Sequence, residues 1–523
     1  MQSVKNLTKI EILILVFIVI LGIFIRLIPG KGHFIWDYDQ ARDSFEIRKI
    51  IQNKDLILIG PQAEKHGMFH GPLYYYYLAP FYYLSHGDQN LPLLAMIFLN
   101  LSSIIPLALL SKQLFSKLGS KQSKLITFLV IFLFVISYEQ VEYARWLSNV
   151  SITIPLLAWS YYFIWKLFSS RKYAFYLGLS LGLAIQGEIF LIYLIAYSYL
   201  LLLLNRHKIK DWIKFHFGLA VGLLPLILAE LKFNFQSTKT FINYFINRHS
   251  VEDLSAGQSI LSYLDHMGFT VKNNLSGFSN SFGLYFLILI LILYLFWKRD
   301  ITKLKIKKEI AYIFIWLFSH FILFSFHFVD AVFLNLGIGL SMIFLMSFLI
   351  YLFCYKKQKI MASLFLIFVV FMQIRLLMVN THHNQPFNKF KFVQKDAILF
   401  KEKIAIVDQI YQLANNESFT FAVLGTPYGV RTKWASVFEQ YARQNDVEIP
   451  HWFGYYANGY PGEKLFITQD FPEQKHIVLI ESSQHLIDPY TRKNYLIEQD
   501  RTTRLIEEKE LYGHRIQLRE RKE

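Results

Sequence analysis

Residues 9–43 read KIEILILVFIVILGIFIRLIPGKGHFIWDYDQARD. The apolar run at 10–28 follows Lys5 and Lys9 and approaches twenty residues, the length a helix needs to cross the hydrocarbon core of a bilayer. A secretory leader begins in the same way, but this run is long for one, and Pro29-Gly30-Lys31-Gly32 offers no small-x-small cleavage site. A retained first span is therefore expected. Just beyond it, three carboxylates, Asp37, Asp39 and Asp43, fall within seven residues.

Working outward, the 523-residue chain is 54% hydrophobic and repeats such apolar runs, which a soluble core seldom needs. Spans are expected at roughly 10–29, 91–111, 125–138, 150–165, 174–186, 189–204, 215–232, 281–297, 310–327, 331–354 and 359–379, about eleven in all. The stretch 174–204 reads as a hairpin broken at Gln186-Gly187-Glu188, because a single helix would put Arg171 and Lys172 on the opposite side from Arg206. With the hairpin, loops on the N-terminal side hold 20 Lys and Arg against 3 Asp and Glu, and loops on the other side 10 against 14. Positive charge stays inside, so the N-terminus is expected in the cytoplasm, with 31–90 and 233–280 outside the cell membrane. The net charge of +16 is thereby read as orientation; its short clusters form no basic face, and nucleic acid is not an expected partner. The single cysteine, Cys354, can form no intrachain disulfide.

Composition shifts after about residue 380. The tail, 385–523, reads as a small extracytoplasmic α/β domain: a helix near 396–413, a strand at 419–424, a turn at Gly425-Thr426-Pro427, a helix near 433–444, and strand-like runs at 464–468 and 476–481. The expected fold is mainly α, a polytopic membrane unit over 1–380 followed by this domain.

The candidate chemistry lies in the outer loops. The acidic stretch Trp36-Asp37-Tyr38-Asp39-Gln40-Ala41-Arg42-Asp43 is either a hydrated turn leading into an interfacial amphipathic helix, or a site whose apolar rim lets a carboxylate take a proton from a hydroxyl. His66 and His70, with Asp37 and Asp39 nearby, could ligate a divalent metal, although a His-x3-His pair clamps a metal only on a helix and glycine and proline surround this one. Tyr74 to Tyr77 suit an interfacial aromatic belt. Arg145 lies where a guanidinium could hold a phosphate bidentately, or equally snorkel to headgroups or pair with Glu142. Glu188, in the hairpin break, is either a solvated turn acid or part of a polar cavity on the same face. No P-loop, post-strand GxGxxG, GxSxG or HExxH motif is present, which disfavours nucleotide-driven chemistry of a soluble fold.

In order, the first span, Trp36-Asp37-Tyr38-Asp39-Gln40-Ala41-Arg42, His70-Gly71-Pro72-Leu73-Tyr74-Tyr75, Tyr143-Ala144-Arg145 with Asn149, and Gly178 to Ala184 resemble the bacterial protein-O-mannosyltransferase-like branch of the GT-C glycosyltransferases, family 39. The resemblance covers about residues 10–205 and hardly touches the tail. It implies a membrane enzyme that moves a sugar, with inversion, from a polyprenyl-phosphate donor to an acceptor hydroxyl on a glycan, lipid or protein at the outer face. It also implies that Asp39 is the general base and that Gln40 stands where the family has a second acid. Either Asp37 or Asp43 then supplies the second charge, or one carboxylate suffices. His70 and Tyr74 would line the donor or acceptor site, together with Gln40, Arg42, Glu142, Asn149 and Glu188, while Arg145 or a metal would meet the phosphate. A transporter of lipid-linked substrates and a polysaccharide polymerase or ligase are the rival readings. Polar residues clustered at one interface and the lack of a repeat disfavour the transporter.

Overall fold

The first helix shows why these residues need a bilayer. In the computed structural model, which describes residues 8–63, 67–205, 207–246, 256–319, 336–382 and 399–522, helix α1 spans Lys9–Leu27. Thr8 caps it reciprocally with Glu11, the Thr8 hydroxyl accepting from the Glu11 N–H at 3.2 Å and the Glu11 carboxylate from the Thr8 N–H at 2.8 Å. Its outward stripe is Ile10, Leu13, Phe17, Ile20 and Phe24, all exposed, while its inward stripe is Ile18, Gly22 and Arg26. A water-soluble helix has the reverse arrangement. Arg26 is satisfied inside by the carbonyls of Gly22 and Val135 and by the Asn100 side chain, at 3.0–3.1 Å.

Among the described residues, four helices are long and apolar enough to cross a membrane: Lys9–Leu27, Asn90–Leu114, Asn280–Lys303 and Lys359–Met378. Two bent pairs raise the number to six if each is one broken span: Ser120–Ile136 with Tyr138–Ala144, bent by 59°, and Ile209–Gly222 with Leu224–Lys232, bent by 70°. The stretches expected to span at 150–165, 174–186 and 189–204 are also helical, but at 15, 14 and 12 residues each is shorter than a simple crossing requires. The expected hairpin break is present: one helix ends at Gly187, and the Glu188 carboxylate caps the next turn by accepting from the Phe190 N–H at 3.1 Å. Parts of the expected spans 310–327 and 331–354 lie outside the described residues.

Helices pack closely where glycines permit. The helix Ala174–Gly187 meets Ile209–Gly222 through Gly178 and Gly182 on one side and Gly218 and Gly222 on the other. A methyl group on Gly178 would stand 2.1 Å from the Phe215 carbonyl oxygen, so only a residue without Cβ fits. The expected outer loop 233–280 is in large part helical. Its helix Ala256–Leu275 packs along Asn280–Lys303 through Gly268 and Gly283.

The described C-terminal residues form a five-stranded sheet, β1 (Thr420–Leu424), β2 (His451–Trp452), β3 (Lys475–Ile480), β4 (Thr503–Leu511) and β5 (His514–Arg521), in the order β2-β1-β3-β5-β4. β1 runs parallel to β2 and β3, and β5 is antiparallel to β3 and β4. The strand expected at 464–468 opens as a 3-10 turn, Glu463–Leu465, after Gly462 turns the chain in the left-handed region, and it pairs only at its end, where Thr468 bridges Trp452 in parallel. Helices Phe400–Leu413, Thr432–Asn445 and Pro489–Thr502 cover the sheet.

This part is docked on the segment that follows α1. Backbone bonds run from the Phe400 N–H to the Phe34 carbonyl and from the Lys401 N–H to the Gly32 carbonyl, both 2.9 Å. The Phe34 and Phe400 rings stack at 5.3 Å, and the Trp36 indole donates to the Ser436 hydroxyl at 2.9 Å.

Candidate active site

The acidic stretch becomes the start of helix α2, Tyr38–Asn53, and each carboxylate meets a different environment. Asp37 is the N-cap: its side chain accepts from the Tyr38 N–H at 2.9 Å, while Gln40 reaches back to the Asp37 N–H at 3.1 Å. Two residues on, Asp39 projects toward solvent, its side chain 65% exposed, and pairs with Arg42 at 2.8 Å. Asp43, one turn further, is buried. It accepts from Arg42 at 2.8 Å and from the Tyr75 hydroxyl at 2.7 Å. Burial pushes the Asp43 carboxyl up to about 6, against the pull of Arg42. Arg42 therefore bridges a buried and an exposed carboxylate, and the buried one fixes where its guanidinium lies.

The apolar side of α2 does not lie on a lipid surface. Ala41, Ile47 and Ile50 are buried, and the helix packs against α3 (Leu73–Leu84) and against Thr432–Asn445. The tyrosine run likewise departs from a simple interfacial belt: Tyr74 and Tyr75 are buried, with their rings 5.9 Å apart, and Tyr76 and Tyr77 donate to the carbonyls of Ile57 and Ala95. Which tyrosine would face Asp43 was not readable from four in a row. The helical spacing from Pro72, the N-cap of α3, settles it in favour of Tyr75.

His70 sits on the wall beside this cluster. The segment 67–72 is not helical, and the Gly71 N–H donates to the Gln186 carbonyl at 2.8 Å, which ties this wall to the hairpin break. Burial, and then the charge of Arg42, pulls His70 down to about 4, so the imidazole is neutral. His66 lies outside the described residues. No group of three His, Cys, Asp or Glu side chains among the described residues could hold a metal ion. Asp37 and Asp39 instead face the ammonium of Lys433 and the guanidinium of Arg42. Asp37, Asp39 and His70, the described members of the expected set, do not form a metal site.

Arg145 follows the short helix Tyr138–Ala144 and is buried. Its Nη2 donates to the His33 carbonyl and lies 2.6 Å from the His33 ring nitrogen Nδ1, with Glu142 supplying countercharge. Nearby, the Gln40 amide donates to the Leu147 carbonyl at 3.2 Å and Asn149 to the Gly187 carbonyl at 2.6 Å. The first loop, the 145–149 segment and the break at Glu188 are thus stitched into one rim. Among the described residues, however, no hydrogen bond or ion pair joins Asp39 to Arg145 directly.

Two groups were not singled out from the sequence. Glu139 accepts from the Asn274 amide at 2.6 Å, Asn274 accepts from Ser137 at 3.0 Å, and Gln373 accepts from the Tyr138 N–H at 2.7 Å, a buried polar network across helices far apart in the chain. The second is the ammonium of Lys433, 3.2 Å from Asp37 and 2.7 Å from Glu481. Burial would raise the Glu481 carboxyl, but Lys433, with His514 and Lys403 beyond it, holds it down at about 2. No local sequence signal marks partners separated by hundreds of residues.

No family model and no curated relative matches the chain. Among solved structures, the crystal structure of ArnT from Cupriavidus metallidurans bound to undecaprenyl phosphate aligns at a TM-score of 0.53 and 11% identity, covering 96% of this chain and 97% of that one. The apo state of the same protein aligns at 0.46 and 12% identity over the same shares, and the apo Archaeoglobus fulgidus oligosaccharyltransferase at 0.44 and 10% identity, over 82% of this chain and 63% of that one. The last two are too distant to argue from. The first shows the fold.

Proposed function

From a fold of the GT-C type, we infer that this chain is a membrane glycosyltransferase of the family-39 kind, with about eleven spans in the cell membrane, its N-terminus cytoplasmic, and its C-terminal α/β domain outside. It moves a sugar from a polyprenyl-phosphate donor to an acceptor hydroxyl. The undecaprenyl phosphate bound in the ArnT structure supports a donor of that class.

The observation that carries this reading is the graded pair on α2: an exposed carboxylate, Asp39, held one turn from a buried one, Asp43, by a shared arginine. Asp39 is the base. It takes the proton of the acceptor hydroxyl as that oxygen attacks the anomeric carbon, the bond from that carbon to the phosphate oxygen breaks, and the configuration inverts. Asp37, engaged with its cap and Lys433, positions the start of α2. Arg145, tied to His33 through Nη2 alone among the described residues, keeps the rest of its fork for the departing phosphate. His70, Tyr74, Glu142, Asn149 and Glu188 complete the lining.

Transfer is expected to depend on the charge of Asp43. Its folded-state value is raised, so the folded protein takes up this proton before the unfolded chain does; burial of the ionised form costs stability above about pH 6, and protonation relieves that cost. Protonation also loosens the grip on Arg42. The rate should therefore fall as pH drops through about 6, and Asp43→Asn should show the low rate throughout, with that limb flattened. Rate profiles from about pH 5 to about pH 8 check this. The reading as a whole is tested by deleting the gene and comparing envelope glycans, lipids and glycoproteins by mass spectrometry. One sugar should disappear from one acceptor class; an unchanged profile would sink the reading.

A further inference from the structure

His33 stands where two distant parts of the chain meet. The carbonyls of its neighbours Gly32 and Phe34 accept from the Lys401 and Phe400 N–H groups, both at 2.9 Å, and Ile35 bridges Leu399 in antiparallel register. Gly32 lies in the left-handed region, and a Cβ there would stand 3.1 Å from the Lys401 Cβ. The backbone of His33 is therefore clamped on both sides by C-terminal residues, and the residue itself is buried.

What the ring does there follows from its partner. Arg145 Nη2 lies 2.6 Å from His33 Nδ1 and also donates to the His33 carbonyl. A guanidinium carries donors only, so Nδ1 is the acceptor and the ring proton sits on Nε2. Burial, and then the charges of Arg145 and Lys401, pull the imidazole down to about 3, so it is neutral and Nδ1 keeps its lone pair. Packing does not account for a histidine at this position. Phe34, Trp36 and Phe400 stack on one another, whereas among the described residues no ring stacks on His33, and its Nε2 is buried without a hydrogen-bond partner. Among the described residues, Arg145 is the one polar contact of the ring.

One residue thus presents two acceptors to a single nitrogen of the fork. The guanidinium is planar, so pinning Nη2 from two directions fixes the plane and the aim of Nε and Nη1 as well. The aim matters, because a displacement of about 1 Å in a group that serves the transition state can cost about 100-fold in rate.

We propose that His33 is the positioning residue for Arg145: through Nδ1 and its carbonyl it orients the guanidinium toward the phosphate of the polyprenyl donor, and the C-terminal residues, by clamping 32–35, take part in that site. This rests on the reading of Arg145 as the group that meets the phosphate.

The test is a double-mutant cycle on the full-length protein in lipid nanodiscs, read by native mass spectrometry of undecaprenyl phosphate binding and in parallel by the rate of sugar transfer. Arg145→Ala should weaken binding about 10- to 100-fold, the loss of hydrogen bonds to a charged group. His33→Ala should weaken it about fivefold or more, and His33→Asn, whose Oδ1 stands close to the place of Nδ1, should restore most of that loss. In the Arg145→Ala background, His33→Ala should cost nothing further. The inference is overturned if His33→Ala binds like the parent protein while Arg145→Ala does not, if the two losses add, or if His33→Asn binds no better than His33→Ala. Should Arg145→Ala itself bind like the parent, the phosphate reading of Arg145 falls and this inference falls with it. A coupled pair in a protein without transfer would defeat the transferase reading alone, and transfer with an additive pair would defeat this inference alone.

Discussion

Asp39→Asn is expected to lower sugar transfer by about 100- to 10,000-fold, the usual contribution of a positioned general base, with no change in thermal unfolding. The reason lies in the division of labour along α2. The Asp39 side chain is 65% exposed and its ion pair with Arg42 is open to solvent, so folding gains little from its charge. Arg42 is held from the other side by Asp43, and an asparagine oxygen can still accept from it. What the substitution removes is the ability to take up a proton. Binding of polyprenyl phosphate, measured by native mass spectrometry, should be unaltered in the variant. Transfer that persists undiminished would take Asp39 out of the mechanism.

The second large effect is on stability. Lys433→Met removes the cation between Asp37 and Glu481 and leaves Glu481, 2% exposed, without its ion pair. Breaking a buried pair in this way costs about 3–5 kcal/mol. The loss should appear as lower thermal stability and as faster hydrogen exchange in β1 and β3, with the spans unaffected. Lys433→Met combined with Glu481→Gln should recover much of it, because a neutral amide can still accept from the Trp434 indole and the Ser483 hydroxyl that now serve the carboxylate. Equal destabilisation in the single and double variants would mean that Lys433 acts through packing alone.

These effects also mark what can be read in the sequence. Helix α1 was legible because length and apolarity are local quantities, and the break at Glu188 because charge asymmetry forced it. The acidic motif marks the start of α2. It did not say that Asp43 would be buried against Tyr75 while Asp39 stayed in solvent, since that follows from how α2 packs on α3. Lys433 joins Asp37 across 396 residues, a contact that tertiary folding alone creates. Strand β4 escaped because TRLIEEKEL exposes nearly every side chain and so lacks the alternation that identifies a half-buried strand; only its pairing with β5 holds it extended. Glycines at 178 and 182 stand in the sequence as part of a motif, and their physical purpose is the close approach of Gly218 and Gly222 on a helix that begins near residue 209.

The central claim is that the chain breaks the bond between a sugar and a polyprenyl phosphate. The most direct measurement places the purified protein in proteoliposomes with a radiolabelled polyprenyl-phosphate sugar and an envelope extract as acceptor, and follows both halves of the donor. The account predicts stoichiometric release of polyprenyl phosphate with the label in a product of inverted anomeric configuration. Intact labelled donor moved between leaflets, with no polyprenyl phosphate released, would contradict it and identify a transporter instead.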